Sequence, residues 1–209
     1  MDHRPLVTRA ITVPGRLAPV SFALGRGAAV ALRGTNGSGK TTALEAVAGL
    51  RRTRGEVLVC GAPPDRRSAR FRAQVAAQLG EPVLDTGLTV LEHAITVSRT
   101  WGRPASHARE ACESVLDELG IAGLRRRLPH EMSSGQRQLF VLALTLVRQA
   151  TLLVLDEPER RLARSAILTV ATALRARMAT GTAVLVATHS EALVAALGSA
   201  EVPVSAERA

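Results

Sequence analysis

A glycine-rich loop that carries the only lysine of the chain limits the folds this sequence can adopt. The loop extends from Gly34 to Thr41 and reads Gly-Thr-Asn-Gly-Ser-Gly-Lys-Thr, the phosphate-binding pattern of two glycines around four residues followed by Lys and Ser/Thr. Its backbone N–H groups can form an anion-binding nest, and a following helix adds its positive dipole end. Among 27 lysine and arginine residues only Lys40 is lysine, whose compact ammonium fits between phosphates better than a planar guanidinium. The loop predicts a nucleoside triphosphate site.

The segments around the loop have the pattern that this motif requires. The apolar run 28–33 predicts a buried strand that enters the loop, and 41–49 predicts the helix that leaves it, ended by a glycine. Two further short strands are expected at 20–24, with antiparallel pairing, and at 56–61. The apolar runs 152–155 and 183–187 are typical of parallel strands covered on both faces. Other segments predict helices: 164–178 as a crossover, and 88–120 with a break at 102–104.

Composition limits the classes of protein that remain. At 209 residues we expect one domain, 1–209, and no apolar run reaches the roughly 18 residues of a membrane span. Cys60 and Cys112 are far apart and share no metal-like spacing, which favours a reduced, cytoplasmic setting. The net charge of +9 comes from arginines scattered in small groups, with only 2% aromatic residues to stack on bases. We therefore expect no nucleic-acid partner, although attraction to an anionic membrane surface stays open.

Two carboxylates follow a predicted strand in the second half of the chain. The run 152–158 reads Leu-Leu-Val-Leu-Asp-Glu-Pro, so Asp156 and Glu157 come at the carboxyl end of a parallel strand, where ligands gather. Asp156 would hold Mg²⁺ as a hard oxygen ligand, with Thr41 as a second one. Glu157 would act as the general base on an attacking water. A helix cap is the alternative interpretation of such a pair, and the preceding glycine loop argues against it.

A third motif indicates a family. The stretch 130–138 reads His-Glu-Met-Ser-Ser-Gly-Gln-Arg-Gln and resembles the Leu-Ser-Gly-Gly-Gln signature of the ATP-binding-cassette (ABC) ATPases, with Ser134 in place of the first glycine. The order also matches: glycine loop, signature, apolar strand with Asp-Glu-Pro, and then Ala-Thr-His-Ser at 187–190. The resemblance covers nearly the whole chain.

This resemblance implies an α/β fold: a P-loop NTPase core with a parallel sheet, an N-terminal antiparallel β portion and a helical subdomain at about 88–132. It implies an ATP-binding and ATP-hydrolysing subunit that couples dimer closure to a separate transmembrane permease, with ATP and Mg²⁺ as cofactors. The subunit would be peripheral on the inner face of the membrane, as a homodimer or as a heterodimer with a related ATPase. Export is the expected direction.

The site residues follow from the same motifs. Three are expected to be catalytic, with His189 as the family's γ-phosphate contact: Glu157, His189 and Lys40. Nucleotide contacts are expected from the loop, the helix after it and the signature, which in the family faces the ATP of the opposing subunit: Gly34, Thr35, Asn36, Gly37, Ser38, Gly39, Lys40, Thr41, Thr42, Ser133, Ser134, Gly135 and Gln136. The metal would be held by Thr41, Asp156 and Glu81. Ser133 would also cap a helix over about 134–147.

Several positions depart from the family pattern. No Tyr or Trp precedes the loop to stack on adenine, so Arg16 is a candidate for contacting the base. Glu81 stands where the family has a Gln that senses Mg²⁺ and the transport partner, with Gln78 as a second candidate for that position. Ala163 replaces an aspartate that signals across the dimer. Two alternatives stay open. One is a P-loop kinase, which leaves the signature unexplained. The other is a low-turnover regulatory partner in a heterodimer, which Ser134, Ala163 and the missing aromatic favour and the intact Lys40, Glu157 and His189 oppose.

Overall fold

The computed structural model describes residues 4–207, which form two β-sheets and seven α-helices. The strands are, in chain order, β1 (Leu6–Val13), β2 (Leu17–Leu24), β3 (Ala29–Arg33), β4 (Arg54–Val59), β5 (Val75–Gln78), β6 (Leu152–Asp156), β7 (Ala183–Ala187) and β8 (Ala200–Pro203). The α-helices are α1 (Lys40–Val47), α2 (Ala69–Gln74), α3 (Val90–Thr100), α4 (Ala105–Glu118), α5 (Ser134–Leu146), α6 (Arg164–Ala179) and α7 (Glu191–Leu197). Two short 3-10 helices lie at Ala122–Leu124 and Pro129–Glu131.

The central sheet is parallel and has five strands in the order β5-β6-β7-β3-β8. Its strands β6 and β7 are the two apolar runs of the sequence, and every residue of β7 is buried. Alternate residues of β6 enter different cores: Leu153 and Leu155 pack on one face of the sheet, and Leu152 and Val154 on the other. The prediction of parallel strands covered on both faces is thus confirmed, because the leucine and valine side chains on both faces of β6 are buried.

The smaller sheet is antiparallel, with the order β2-β1-β4. It contains the strands expected at 20–24 and 56–61, and it adds β1, which the sequence analysis missed. The expected α/β fold with an N-terminal antiparallel portion is confirmed.

The segment between β5 and the signature is helical, as expected. Helices α3 and α4 are separated at 101–104, which matches the predicted break. Helix α3 begins with a capping box in which Thr89 and Glu92 satisfy each other's backbone N–H groups. Within residues 4–207 no helix is long and apolar enough to cross a bilayer.

This topology decides where chemistry can occur. Strands β3, β6 and β7 are neighbours and run in the same direction, so they end at the same edge of the sheet. At this edge β3 leads into the loop before α1, β6 ends at Asp156, and β7 ends just before Thr188. Open parallel sheets bind ligands at that carboxyl edge.

Candidate functional site

The loop between β3 and α1 is shaped around a close backbone approach. Gly39 has φ of 97°, and a Cβ at this position would lie 2.5 Å from the carbonyl oxygen of Arg16, so only glycine fits. Lys40 is only 7% exposed, and its Nζ donates to the carbonyl oxygens of Gly34 (2.9 Å) and Thr35 (3.0 Å). The ammonium is thereby held over the loop, at the N-terminal end of α1.

The loop lines a cavity of about 320 Å³. The walls are formed by Gly15, Arg16, Asn36, Gly37, Ser38, Gly39, Lys40, Thr41, Thr42 and Glu157. Ser38 Oγ is buried there without a hydrogen-bond partner among the described residues. A buried hydroxyl that lacks a partner, a helix N-terminus and an ammonium together suit an anion such as a triphosphate. Arg16, the candidate for contacting the base, lies in the same wall.

Thr41 and Asp156 meet at the edge of this cavity, as the sequence predicts. The Thr41 hydroxyl donates to Asp156 Oδ2 at 2.8 Å, which joins the start of α1 to the end of β6. A hydroxyl beside a carboxylate offers the hard oxygen donors that Mg²⁺ accepts, so Thr41 and Asp156 would hold the ion. Within residues 4–207 no group of three or more His, Cys, Asp or Glu side chains is placed so that it could hold a metal ion. Glu81 is not part of this pair.

Burial raises the pKa of Asp156 above its ordinary value of 3.8; the bond from Thr41 opposes this, and the nearby Glu157 adds to it. The folded chain therefore holds this proton more tightly than the unfolded chain, and the ionised carboxylate costs stability at neutral pH. We expect Asp156→Asn to raise the melting temperature of the nucleotide-free protein at pH 7, on the order of 2 °C because solvent screens part of the effect.

The measurement is thermal unfolding in chelator-containing buffer from pH 3 to pH 8. The gain should shrink toward the acid end, where Asp156 is protonated in both folded and unfolded chains. Asp117→Asn, at an exposed position on α4, is the matched control. A lower melting temperature for Asp156→Asn at pH 7 would contradict the assignment.

Glu157 is held in an unusual backbone conformation. Its φ is 47°, its N–H donates to the carbonyl oxygen of Ala187 (2.9 Å), and the Gln138 side chain donates to the carbonyl oxygens of Glu157 (3.2 Å) and Pro158 (3.1 Å). A non-glycine residue in this region costs energy and persists only where its surroundings fix it. Gln138 does so from helix α5, a role that its position next to the signature motif does not indicate.

His189 lies beside Glu157 at the carboxyl end of β7. Its Nε2 is 3.7 Å from Glu157 Oε1, and its side chain is 46% exposed. The structure thus brings together Glu157, His189, Lys40, Thr41 and Asp156. Sequence reasoning missed the support beneath His189: the buried Thr188 hydroxyl donates to Glu159 and accepts from the Ser190 N–H (2.9 Å). Oxygen Oε2 of Glu159 is buried with no partner among the described residues.

The signature lies apart from this cluster. Ser133 caps α5, accepting from the Gln136 N–H (3.3 Å), while the Gln136 side chain accepts from the Ser133 N–H (3.0 Å), so the predicted cap is confirmed. Ser133 and Ser134 are exposed, and residues 133–136 do not line the cavity of the loop. A Cβ on Gly135 would lie 3.0 Å from the carbonyl oxygen of Arg161.

Glu81 is engaged elsewhere in this structure. Its carboxylate accepts from Arg161 Nη1 at 2.6 Å, and both side chains are exposed. Arg161 follows the Glu157 turn and has φ of 65°. The pair therefore joins the loop after β5 to the segment after β6. Gln78, the second candidate, is buried at the end of β5, and its Oε1 has no partner among the described residues.

The chain is similar to proteins of known assignment. A family model described as ABC transporter matches residues 17–160. The chain is 32% identical over 172 residues to the SkfA peptide export ATP-binding protein SkfE of Bacillus subtilis, which covers 82% of this chain and 71% of that protein. It is 36% identical over 140 residues to the Fe(3+) ions import ATP-binding protein FbpC of Rhizobium etli, covering 66% and 39%. A solved ATP-binding subunit of an ABC transporter aligns with a TM-score of 0.82 and 25% identity, over 96% of this chain and 85% of that one.

Proposed function

Because this chain belongs to the ATP-binding cassette family of ABC transporters, and is therefore an ABC ATPase, we propose that it drives export through a separate permease by closing on ATP as a dimer. One observation carries the proposal. Lys40, Thr41 and Glu157 line one cavity and Asp156 contacts Thr41 at its edge, while the signature at 133–136, with Ser133 and Ser134 exposed, lies outside it. Half of a composite site is present in each chain, and the second half is presented to a neighbour.

The residues at the cavity divide the work of hydrolysis. The nest of N–H groups and Lys40 bind and orient the β- and γ-phosphates. Mg²⁺, held by Thr41 and Asp156, supplies charge neutralisation on those phosphates when it is bound. Glu157, fixed by Gln138 and by the Ala187 carbonyl oxygen, accepts a proton from the attacking water. His189, whose Nε2 lies 3.7 Å from Glu157 Oε1, would hydrogen-bond a γ-phosphate oxygen beside that water.

The signature contributes from the partner subunit. Helix α5 begins at Ser134 with free backbone N–H groups at its exposed end, and a phosphate facing this end would meet the positive dipole. Ser133 Oγ already accepts the Gln136 N–H in its cap, so the Ser133 O–H and the backbone N–H groups are the donors that remain for a phosphate. Two chains would then enclose two ATP molecules, each between the loop of one chain and the signature of the other.

A mixing experiment tests the shared site. Lys40→Ala disables the loop and keeps the signature, whereas Ser134→Glu keeps the loop and places a negative charge where the partner's phosphate would bind. Glutamate at the first turn favours the helix, so loss of activity would not reflect a lost helix. We expect each variant alone to be inactive and an equimolar mixture to recover up to about a quarter of wild-type turnover, from mixed dimers with one intact site.

The mixture is assayed for Mg²⁺-dependent ATP hydrolysis at increasing total protein concentration. Ser205→Glu, at an exposed position near the C-terminal end, is the control for an added charge and should behave as wild type in the same mixture. Equal activity of Ser134→Glu and wild type, at concentrations where wild type hydrolyses ATP, would refute a site completed by the signature of a partner.

The permease contact is proposed beside the loop after β5. Val83 is fully exposed, and it stands between Pro82 and Leu84, two residues after Glu81. An apolar side chain presented on such a loop suits a helix seated in a groove. Movement of the permease helix would displace this loop and with it the Glu81–Arg161 ion pair. The displacement would reach Gly135 of the signature through the carbonyl oxygen of Arg161, which lies against it. Such a contact would hold the chain at the inner face of the membrane.

Export is favoured by the longer of the two matches, which is to a peptide export protein and covers 82% of this chain. A second candidate is a subunit of low turnover that pairs with a more active relative. Two features favour it. Ala163 has no side chain that could cap α6 or contact a partner subunit, and the Glu81 carboxylate is held in an ion pair by Arg161. The mixing experiment separates the two, because this second candidate predicts no recovery with copies of the same chain.

A further inference from the structure

A second cavity lies at the opposite end of the parallel sheet from the nucleotide. It has a volume of about 550 Å³. Its walls include the residues just before three neighbouring strands: Arg26 before β3, Thr151 before β6 and Thr182 before β7. Five-residue strands at about 3.3 Å per residue place it about 16 Å from the carboxyl edge that holds the loop. The two cavities share no wall residue.

Four guanidinium groups line this space, which we call the arginine cavity: Arg26, Arg103, Arg148 and Arg177. No Asp or Glu is among the lining residues. Only Arg177 has a carboxylate partner, Glu118, and within residues 4–207 no acidic side chain forms an ion pair with the other three. The cavity therefore carries about three uncompensated positive charges over a floor of apolar side chains, among them Val115 and Leu146.

The positions of two arginines are set by contacts that leave their charge unbalanced. Arg148 donates from Nη2 to the carbonyl oxygens of Arg72 and Val75, both at 2.7 Å, and its Nε is buried without a partner among the described residues. Burial lowers the pKa of Arg148 to about 10, which shows that the surroundings disfavour its charge. The guanidinium of Arg26 lies over Gly181, where a Cβ would come within 3.2 Å of Arg26 Nη2.

We propose that the arginine cavity binds a small molecule that carries a diphosphate or two separate phosphate groups. Guanidinium groups match phosphate oxygens in paired, charge-assisted hydrogen bonds, and a charge of about minus three would balance the three unpaired arginines. The volume is in the range of small-ligand pockets. The apolar floor gives room for a carbon body beneath the phosphates. This site does not depend on the proposed transport function.

The chain contains a built-in reporter for this site. Trp101 is its only tryptophan, and tyrosine is absent. The Arg148 guanidinium carbon lies 3.4 Å from the centre of the Trp101 ring, a stacked cation–π contact. An anion that approaches Arg148 changes the field at the indole, so binding should alter the Trp101 fluorescence.

The experiment is a fluorescence titration of the full chain with inorganic pyrophosphate, in buffer with chelator and no Mg²⁺. We expect a saturable change with an apparent Kd below about 1 mM. Arg26→Gln/Arg103→Gln should weaken binding by about tenfold or more, the loss of two charge-assisted contacts. Lys40→Ala should leave the titration unchanged, because the loop lies at the other edge of the sheet.

Arg109→Gln/Arg175→Gln removes the same charge from exposed positions outside the cavity and should also leave it unchanged. The single exchange Arg26→Gln, at an exposed position, serves if the double variant does not fold, as judged by circular dichroism. A linear, unsaturated response would overturn the proposal. So would an equal loss in the control pair, which would indicate general charge attraction, or a loss in Lys40→Ala, which would assign the signal to the nucleotide site.

Discussion

Glu157→Gln is expected to lower ATP turnover by about a thousandfold while ATP affinity changes by no more than about twofold, because general bases contribute about 10²–10⁴-fold. The amide keeps the size of the side chain and cannot accept the proton of the attacking water. The phosphate cradle is built from the loop at 34–41 and is left intact. Steady-state hydrolysis and equilibrium ATP binding, measured on the same preparation, give the two quantities.

The backbone of the turn is fixed independently of the carboxylate. The Glu157 N–H and carbonyl groups are held by Ala187 and by Gln138, so the exchange should not release the strained φ of 47°. Glu110→Gln, on the exposed side of α4, is the matched control and should hydrolyse ATP normally. Turnover of Glu157→Gln within threefold of wild type would show that Glu157 is not the general base, and His189 would then be the candidate for that role.

Lys40→Ala is expected to weaken ATP binding by about a hundredfold, since it removes charge-assisted hydrogen bonds to phosphate at a buried position. In the absence of nucleotide the ammonium bonds to the carbonyl oxygens of Gly34 and Thr35, which water can satisfy after the exchange. Calorimetric titration with ATP measures the affinity, and circular dichroism checks the fold. ATP affinity equal to that of wild type would contradict the proposal that Lys40 binds the phosphates of ATP.

Lys40→Arg is the informative companion to that variant. It keeps the charge and changes only the shape of the cation, and the Arg guanidinium is too wide for a position that is 7% exposed. We therefore expect it to bind ATP as poorly as Lys40→Ala. Full affinity in Lys40→Arg would mean that charge alone matters at this position and that the geometry of the ammonium does not.

The parts of the fold that were predictable are those whose signal is local. Runs of buried apolar residues identified β3, β6 and β7, and a Gly-Arg-Pro sequence at 102–104 marked the end of α3. Strand β5 was missed because it has four residues and pairs only with β6. Strands β1 and β8 were also missed. Strand β8 pairs with β3, which is distant in sequence, and β1 pairs both with its neighbour β2 and with the more distant β4.

The candidate site follows the same division. The loop, the acidic pair and His189 were visible as motifs, and the structure places them within one cluster. Gln138 and Glu159 were invisible, because each acts through a contact with a residue about 20 to 30 positions away. The Glu81–Arg161 pair spans 80 positions, and nothing in the local sequence of either residue indicates it.

The buried position of Lys40 has a consequence for proteolysis. A protease that cleaves only after lysine has a single target in this chain, the bond between Lys40 and Thr41. That bond lies in the first turn of α1 beneath a side chain tied to two carbonyl oxygens, so cleavage requires the loop and the start of the helix to open. The rate of this one cut, which yields two fragments of about 40 and 169 residues from the 209-residue chain, would report the free energy of local opening at the nucleotide site.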